Sequence, residues 1–368
     1  MNYFRNLLKN IDKVLLILPV CFAVISVIMV GSTAYEGEFI ITKDIKVQIA
    51  AYCLGAVALA LVLLFDYKNF ESMEKIIYAG SILFLLTVYI PGLGVEHFGS
   101  RAWVDLGPID MQPSELVKIS FILIFSSYLT RTRGSLMTLK GIGFAILYAS
   151  PFILIILKED LGSAIVMCVI AVTMVFSAGI DNKLFAKLAG TFLISMPIVY
   201  RFMESHQKER IDAFLHPENL SLTGNYQVWN SKVAIGSGGI FGKGLFQGTQ
   251  KELKFLPVQK SDFIFSVIVE ELGLIGGAVV IILYTTFLYR LLKIADNAKD
   301  MYGSLIAVGI LAMFGFQIFE NIAMTMGIMP VTGITLPFIS YGGSSVVANM
   351  IALGLVLNVG IRSKIINF

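Results

Sequence analysis

Apolar runs long enough to cross a membrane alternate with short polar segments along this chain. Ten runs fall at residues 14–31, 47–65, 76–90, 115–130, 141–157, 162–179, 186–203, 263–289, 303–327 and 342–361. Many are about 17 to 25 residues long, enough for a helix to cross a hydrocarbon core of about 30 Å. The pattern predicts an all-α polytopic membrane protein with ten transmembrane helices, residues 1–368 forming a single integral domain. One polar segment breaks the rhythm. Residues 204–262, between the seventh and eighth runs, read as a loop far longer than ordinary connections of about 4 to 6 residues. The loop carries Phe214, Tyr226, Trp229, Phe241, Phe246 and Phe255, so it has side chains with which to pack against something.

Composition agrees with the pattern. Hydrophobic residues make up 57% of the chain and charged ones 14%, with a mean hydropathy of +0.81. Basic residues orient the spans, because Lys and Arg in short loops stay cytoplasmic. With the N-terminus inside, Arg5, Lys9, Lys68, Arg131, Lys183 and Arg362 are among many basic residues on the inner side, while Lys43, Lys46, Arg101 and Lys158 occupy the short outer loops. Both termini are then cytoplasmic and residues 204–262 face the outside. Chemistry on that face has no ATP, which excludes kinases and ATPases. A net charge of +3 gives no footing for nucleic acid. Cys21, Cys53 and Cys168 lie inside apolar runs and read as small hydrophobes, and the three histidines show no metal-ligand spacing.

Five stretches carry candidate chemistry. "AIGSGGIFGKGLFQG" (Ala234–Gly248) is glycine-rich and holds Lys243. Glycines let backbone N–H groups cradle a phosphate, although Lys243 is followed by Gly244 and the pattern is no P-loop. A flexible turn-rich loop is the plainer reading. In "GSRAWVDLGPIDMQPSELVKIS", Pro113 suits a helix start and Glu115 and Lys118 are i, i+3 neighbours. Lys118 falls inside a span, where ionisable groups are costly and face cavities; an exposed ion pair is the alternative. "LKEDLGSA" places Asp160 in a tight outer turn, with a buried role also open.

"FLPVQKSDFIFS" puts Asp262 where the chain re-enters the membrane. The carboxylate either offsets a helix dipole or serves as a general base at the mouth of a polar cavity. Glu270 and Glu271 further along that span predict a face turned inward toward the cavity. "GIMPVTGITLPFISYGGSS" (Gly327–Ser345) predicts non-helical backbone at membrane depth. Such backbone survives only when buried in protein or lining a cavity. The next helix then begins at "GGSS", whose N–H groups and the Ser344 and Ser345 hydroxyls suit an anion.

These stretches, together with "RIDAFLHPE" (Arg210–Glu218) and in their order along the chain, resemble the SEDS family of RodA, FtsW and SpoVE across nearly the whole chain, and "PVTGITLPF" looks closer to RodA or SpoVE than to FtsW. The resemblance implies a ten-helix peptidoglycan glycosyltransferase in the bacterial cytoplasmic membrane. It would polymerise lipid II on the outer face beside a class B penicillin-binding protein that supplies transpeptidation. A lipid II flippase and a non-catalytic scaffold are the competing functions. Asp262 falls on the family's essential acidic position, Glu115 and Lys118 on its membrane ion pair, and Arg101 on its outer-loop arginine. Arg101, Lys118, Lys243 and the glycine loop, or a bound divalent cation (Mg or Mn), would meet the pyrophosphate. Departures stand at Val258, Lys260 and Ser261, where the family carries Glu, His and Thr, at Glu159 for Pro, and at Asn230 for Gln. They leave Asp262 as the only carboxylate of its stretch and put in doubt any metal site needing two acids there.

Overall fold

The computed structural model describes residues 10–35, 40–97, 100–105, 107, 110–203, 205–249 and 258–364. Arg5, Lys9, Gly99 and Phe255 of the sequence reading lie outside them. In chain order the helices are α1 (Lys13–Thr33), α2 (Lys43–Leu64), α3 (Lys68–Ser72), α4 (Glu74–Leu86), α5 (Pro113–Thr132), α6 (Leu139–Glu159), α7 (Leu161–Ser177), α8 (Asn182–Phe202), α9 (Ser205–Leu215), α10 (Thr223–Gly238), α11 (Ile264–Asp296), α12 (Met301–Thr325) and α13 (Gly343–Lys364).

Each expected span contains a helix. Among the described residues, six of them, α1, α2, α6, α11, α12 and α13, are long and apolar enough to cross a membrane, and α7 is a shorter apolar helix. This is a multi-helix membrane protein. Helix α5 shows why apolarity alone misses some members. It carries Glu115, Lys118 and Arg131, yet Val117, Phe121, Ile122, Phe125 and Leu129 are all at most 1% exposed. A helix surrounded by protein can hold charges that a lipid-facing helix cannot.

Residues 327–342 are non-helical, as the prolines and glycines predict. Their backbone groups need partners, since no water competes for them at membrane depth. Side chains from neighbouring helices supply these. Ser26 Oγ donates to the Ile339 carbonyl at 2.7 Å, Gln48 Nε2 donates to Ser340 O at 3.0 Å, and the Gly342 N–H donates to Gln48 Oε1 at 3.2 Å. Tyr52 donates to Phe338 O and Tyr284 to Pro337 O. Beneath the loop, Phe338 stacks on Phe22 with ring centroids 5.7 Å apart and on Phe314 at 5.5 Å, closing the apolar core between α1, α11 and α12.

Two features depart from the sequence reading. Among the described residues of 204–262 stand two helices, α9 and α10, and α10 packs along α11. A three-stranded antiparallel sheet also precedes α5, with β1 (Gly94–His97), β2 (Ser100–Asp105) and β3 (Asp110–Met111) in the order β1-β2-β3. Trp103 pairs with Val95, and Asp105 with Asp110.

The glycine-rich stretch has an architectural role. Helix α11 is broken at Gly273, where φ is 68° and ψ −168°. The break strands helical N–H and C=O groups, which must find other partners. Segment 239–244 meets them. Lys243 N–H donates to Glu270 O and Gly244 N–H to Glu271 O, both at 3.0 Å, while Leu274 N–H donates to Gly239 O at 2.9 Å and Ile275 N–H to Ile240 O at 3.3 Å. The two backbones approach so closely that a Cβ at Gly273 would lie 2.3 Å from Gly242 N, and one at Gly242 would lie 2.1 Å from Glu271 O. Only glycine fits there.

Candidate active site

The irregular segments converge on one polar cavity of about 1130 Å³. Its wall is built from the sheet, the starts of α5, α7 and α13, helices α9 and α10, the 258–262 turn and the 327–335 loop. Asp262, Asp160, Glu115, Lys118, Ser344 and Ser345 all line it. Residues far apart in sequence thus meet in one chamber.

Asp262 sits in a tight turn in which the Ser261 and Asp262 N–H groups both donate to Val258 O, at 3.2 and 3.1 Å, and Val258 adopts φ 56°. That turn is fastened to the other wall: Ser340 Oγ donates to Ser261 O, and Tyr341 N–H donates to Lys260 O at 2.9 Å. Lys260 Nζ pairs with Asp44 Oδ2 at 2.6 Å and lies 4.6 Å from the centroid of the Tyr341 ring. Burial pushes the Asp262 carboxyl up to about 6 from its ordinary 3.8, against the Ser261 side chain and the Arg210 charge, which lower it; Asp160 raises it further. The group keeps the charge of a base near neutral pH and is a stronger base than a free carboxylate.

Asp160 ends α6 and caps α7. Its carboxylate accepts from Ser163 N–H at 3.0 Å, Ser163 Oγ at 2.6 Å and Gln112 Nε2 at 2.8 Å. Glu115 Oε1 and Lys118 Nζ are 2.5 Å apart, and both residues are buried at the cavity wall. The start of α13 presents Gly343, Ser344 and Ser345, with the Gln112 N–H 3.5 Å from Ser344 Oγ and Thr335 Oγ1 3.3 Å from Ser345 Oγ.

Two candidates stand elsewhere. Arg101 is on β2, where its N–H donates to Glu159 Oε2 at 3.0 Å, and it does not line the cavity. Lys243 Nζ lies 2.7 Å from Glu270 Oε1 and donates to Thr249 Oγ1 at 2.6 Å, away from the chamber. Glu270 and Glu271 do turn inward, toward the glycine segment: Glu271 accepts from Ser32 Oγ and, at 3.0 Å, from the Phe246 N–H. They do not line the cavity. Among the described residues, no group of three or more His, Cys, Asp or Glu side chains is placed to hold a metal ion.

The chain as a whole matches known proteins. A family model described as "Cell cycle protein", covering FtsW, RodA and SpoVE, matches residues 7–365.

The chain belongs to the FtsW/RodA/SpoVE family.

It is 34% identical to Stage V sporulation protein E of Bacillus subtilis, over 96% of this chain and 98% of that protein. It is 32% identical to the peptidoglycan glycosyltransferase MrdB of Escherichia coli K12, over 97% and 95%. Among solved structures, Thermus thermophilus rod shape determining protein RodA superposes with a TM-score of 0.71 at 27% identity, over 96% of this chain and 98% of that one. A chain of a peptidoglycan synthase complex that coordinates polymerization and crosslinking superposes with a TM-score of 0.79 at 28% identity, with the same coverage.

Within this family member, the sequence reading passed over three cavity cations, Lys43, Arg210 and Lys232. Arg210 Nη1 donates to Thr332 O at 2.8 Å, tying α9 to the 327–335 loop. A signal existed: Ile211, Phe214 and Leu215 follow the i, i+3, i+4 spacing of an amphipathic helix, which would have turned Arg210 from a loop charge into a fixed one.

Proposed function

We propose that this chain is a peptidoglycan glycosyltransferase that polymerises lipid II. The observation that carries the reading is the chamber itself. The relatives of this chain include peptidoglycan glycosyltransferases, and here Asp262, the carboxyl pushed up by burial, lines the same polar cavity as the cations Lys118, Arg210 and Lys232.

Asp262 takes the proton from a sugar hydroxyl of the acceptor while that oxygen attacks the anomeric carbon of the donor. The bond from that carbon to the pyrophosphate oxygen breaks, and the polyprenyl pyrophosphate leaves from the opposite face with the electron pair. The leaving group is already activated, so no ATP is consumed. General-base assistance of this kind contributes about 10²–10⁴-fold. The cations and the N–H groups at the start of α13 meet the pyrophosphate charge. Glu115 holds Lys118 in place.

In this reading the chain is a single membrane domain with ten crossings, α4, α5, α7 and α8 joining the six apolar helices. Both termini are cytoplasmic, and residues 204–262, with the cavity, lie on the outer face. The superposition on a chain of a peptidoglycan synthase complex supports a class B penicillin-binding partner. Its membrane helix would rest on α11 and α12; on α11, Leu274, Ile275, Val279 and Ile282 are exposed apolar side chains. Purified protein in liposomes supplied with lipid II tests the function: glycan chains support it, transbilayer movement without chains makes the protein a flippase, and neither makes it a scaffold.

A further inference from the structure

Helix α12 carries a carboxyl that the proposed reaction does not use. Glu320 has no solvent-exposed surface, although it lies in a membrane helix. Its Oε1 accepts from Thr332 Oγ1, and its Oε2 has no hydrogen-bond partner among the described residues. An apolar side chain of similar size would fill this space without the cost of burying a half-satisfied acid. Packing therefore gives no reason for glutamate, and ionisable residues inside membrane helices mark function.

The surroundings of Glu320 show what it controls. Its neighbour Asn321, equally buried, donates through one amide to two carbonyls, Asp262 O at 2.9 Å and Ile334 O at 2.8 Å. One turn of α12 thus holds the backbone of Asp262 and, at Thr332 and Ile334, the loop facing it. The Thr332 carbonyl in turn receives the Arg210 guanidinium, whose charge acts on both Asp262 and Glu320. A Cβ at Gly333, between the two held residues, would lie 3.6 Å from Asp262 Oδ2, so the loop is in contact range of the carboxylate.

We propose that Glu320 is a positioning residue for Asp262: by holding Thr332, and with Asn321 holding the backbone, it fixes the Arg210 guanidinium and the Asp262 carboxylate relative to each other. The proposal deepens the glycosyltransferase reading and rests on it for its kinetic consequence. Its geometric consequence does not depend on any activity. The charged groups acting on Asp262 are Arg210 from α9 and Asp160 at the start of α7, and the charge of Asp262 acts in turn on Glu320 of α12. Releasing Thr332 frees Arg210 to move away, and loss of a neighbouring positive charge raises a carboxyl pKa.

The test compares Glu320→Gln with Glu320→Leu. Both remove the acid, but glutamine retains an oxygen that accepts the Thr332 hydroxyl and leucine does not. The Asp262 carboxyl is titrated by its infrared C=O band, identified by subtracting Asp262→Asn in each background. Thermal unfolding and lipid II polymerisation kinetics are measured on the same samples. The leucine variant should unfold at or above the wild-type temperature, with kcat lower by about ten- to a hundredfold, the effect of misplacing a reacting group, and KM unchanged. Its Asp262 titration should sit above that of the glutamine variant, which should keep most of the wild-type kcat. Matching titrations and matching kcat in the two variants overturn the proposal. Equal losses accompanied by lowered unfolding temperatures overturn it too, as a merely structural role. If the leucine variant does not fold, Thr332→Val, with Thr332→Ser as the rescuing variant, answers the same question. Wild-type protein that makes no glycan overturns the glycosyltransferase reading, while the infrared comparison still decides the role of Glu320.

Discussion

Lys118 Nζ stands 2.5 Å from Glu115 Oε1, one helical turn inside α5, with both residues buried in the wall of the cavity. In such a pair the costly state is the lone charge. Removing one partner of a buried pair costs about 3–5 kcal/mol, whereas replacing both with apolar residues is often neutral. Glu115→Gln or Lys118→Met alone should therefore lower the unfolding temperature more than the double substitution. Glycan synthesis should fall in all three, because the double variant also lacks the cation that meets the pyrophosphate. Thermal unfolding and polymerisation assays on the three variants check this; equal and mild effects would place the pair in a wet, high-dielectric site.

The Asp262 carboxyl sets a pH dependence. The reaction needs the carboxylate, and burial puts its protonation at about 6. Rate under subsaturating lipid II should rise about tenfold per pH unit below that value and level off above it. Asp262→Asn and Asp262→Ala should each abolish polymerisation while inserting normally. Near-normal synthesis by Asp262→Asn would reduce the residue to a helix-dipole partner.

The same carboxyl carries a stability cost whose sign follows from linkage. Its folded-state pKa is raised from 3.8 to about 6, so the folded chain favours the acid form. The contribution of Asp262 to stability is then greatest below about pH 4 and is lost as pH rises through about 6. Asp262→Asn should be more stable than wild type at pH 7.5, by at most about 3 kcal/mol, since one pKa unit is worth about 1.4 kcal/mol. The difference should vanish toward pH 4 in thermal scans. A constant difference across that range would mean that the charge of Asp262 is not what costs stability.

Lys243 is expected to act on the fold. Its ammonium is the cation 2.7 Å from Glu270, whose side chain is fully buried, and its backbone N–H closes the break in α11. Lys243→Gln should lower the unfolding temperature and leave lipid II affinity unchanged at any salt concentration. Gly273→Ala should be more damaging, because its Cβ would collide with the backbone of Gly242 and Ile240. Salt-sensitive loss of lipid II binding with an unchanged unfolding temperature would return Lys243 to the substrate.

Gly309 and Ile282 separate internal packing from partner docking. A Cβ at Gly309 would lie 2.8 Å from Ile122 and 2.9 Å from Met174, so Gly309→Leu should destabilise the isolated protein. Ile282 is 63% exposed on α11. Ile282→Trp stays apolar and compatible with lipid, and should leave the chain folded while weakening co-purification of a class B penicillin-binding protein. Undiminished co-purification would move the partner surface off this face.

What the sequence determined by itself follows from local constraints. Apolar run length set where the membrane helices lie, since a helix in lipid must be apolar over its whole crossing. Pro330, Gly333, Pro337 and Gly342 set the non-helical stretch before α13, because those residues cannot sustain a helix there. The motif order marked the family and pointed to Asp262, Glu115 and Lys118. Helices α9 and α10 were less legible: Tyr226, Trp229 and Val233 do repeat at helical spacing, but Asn230 and Ser231 between them, and Gly224 and Gly236 on either side, weaken the local preference. The tertiary structure alone decided the rest, because the partners are distant in sequence. Glycine density in 236–248 suits a phosphate loop and a helix plug equally well, and only the break at Gly273 brings out the plug. Arg101 and Lys243 have the right charge for the cavity but stand elsewhere, Arg101 on β2 with its backbone N–H on Glu159 and Lys243 with its ammonium on Glu270. Arg210 opens a family stretch, RIDAFLHPE, that gives it no role by itself, and Glu320 stands in no such stretch; they meet Asp262 only because Thr332 brings three separate segments to one point.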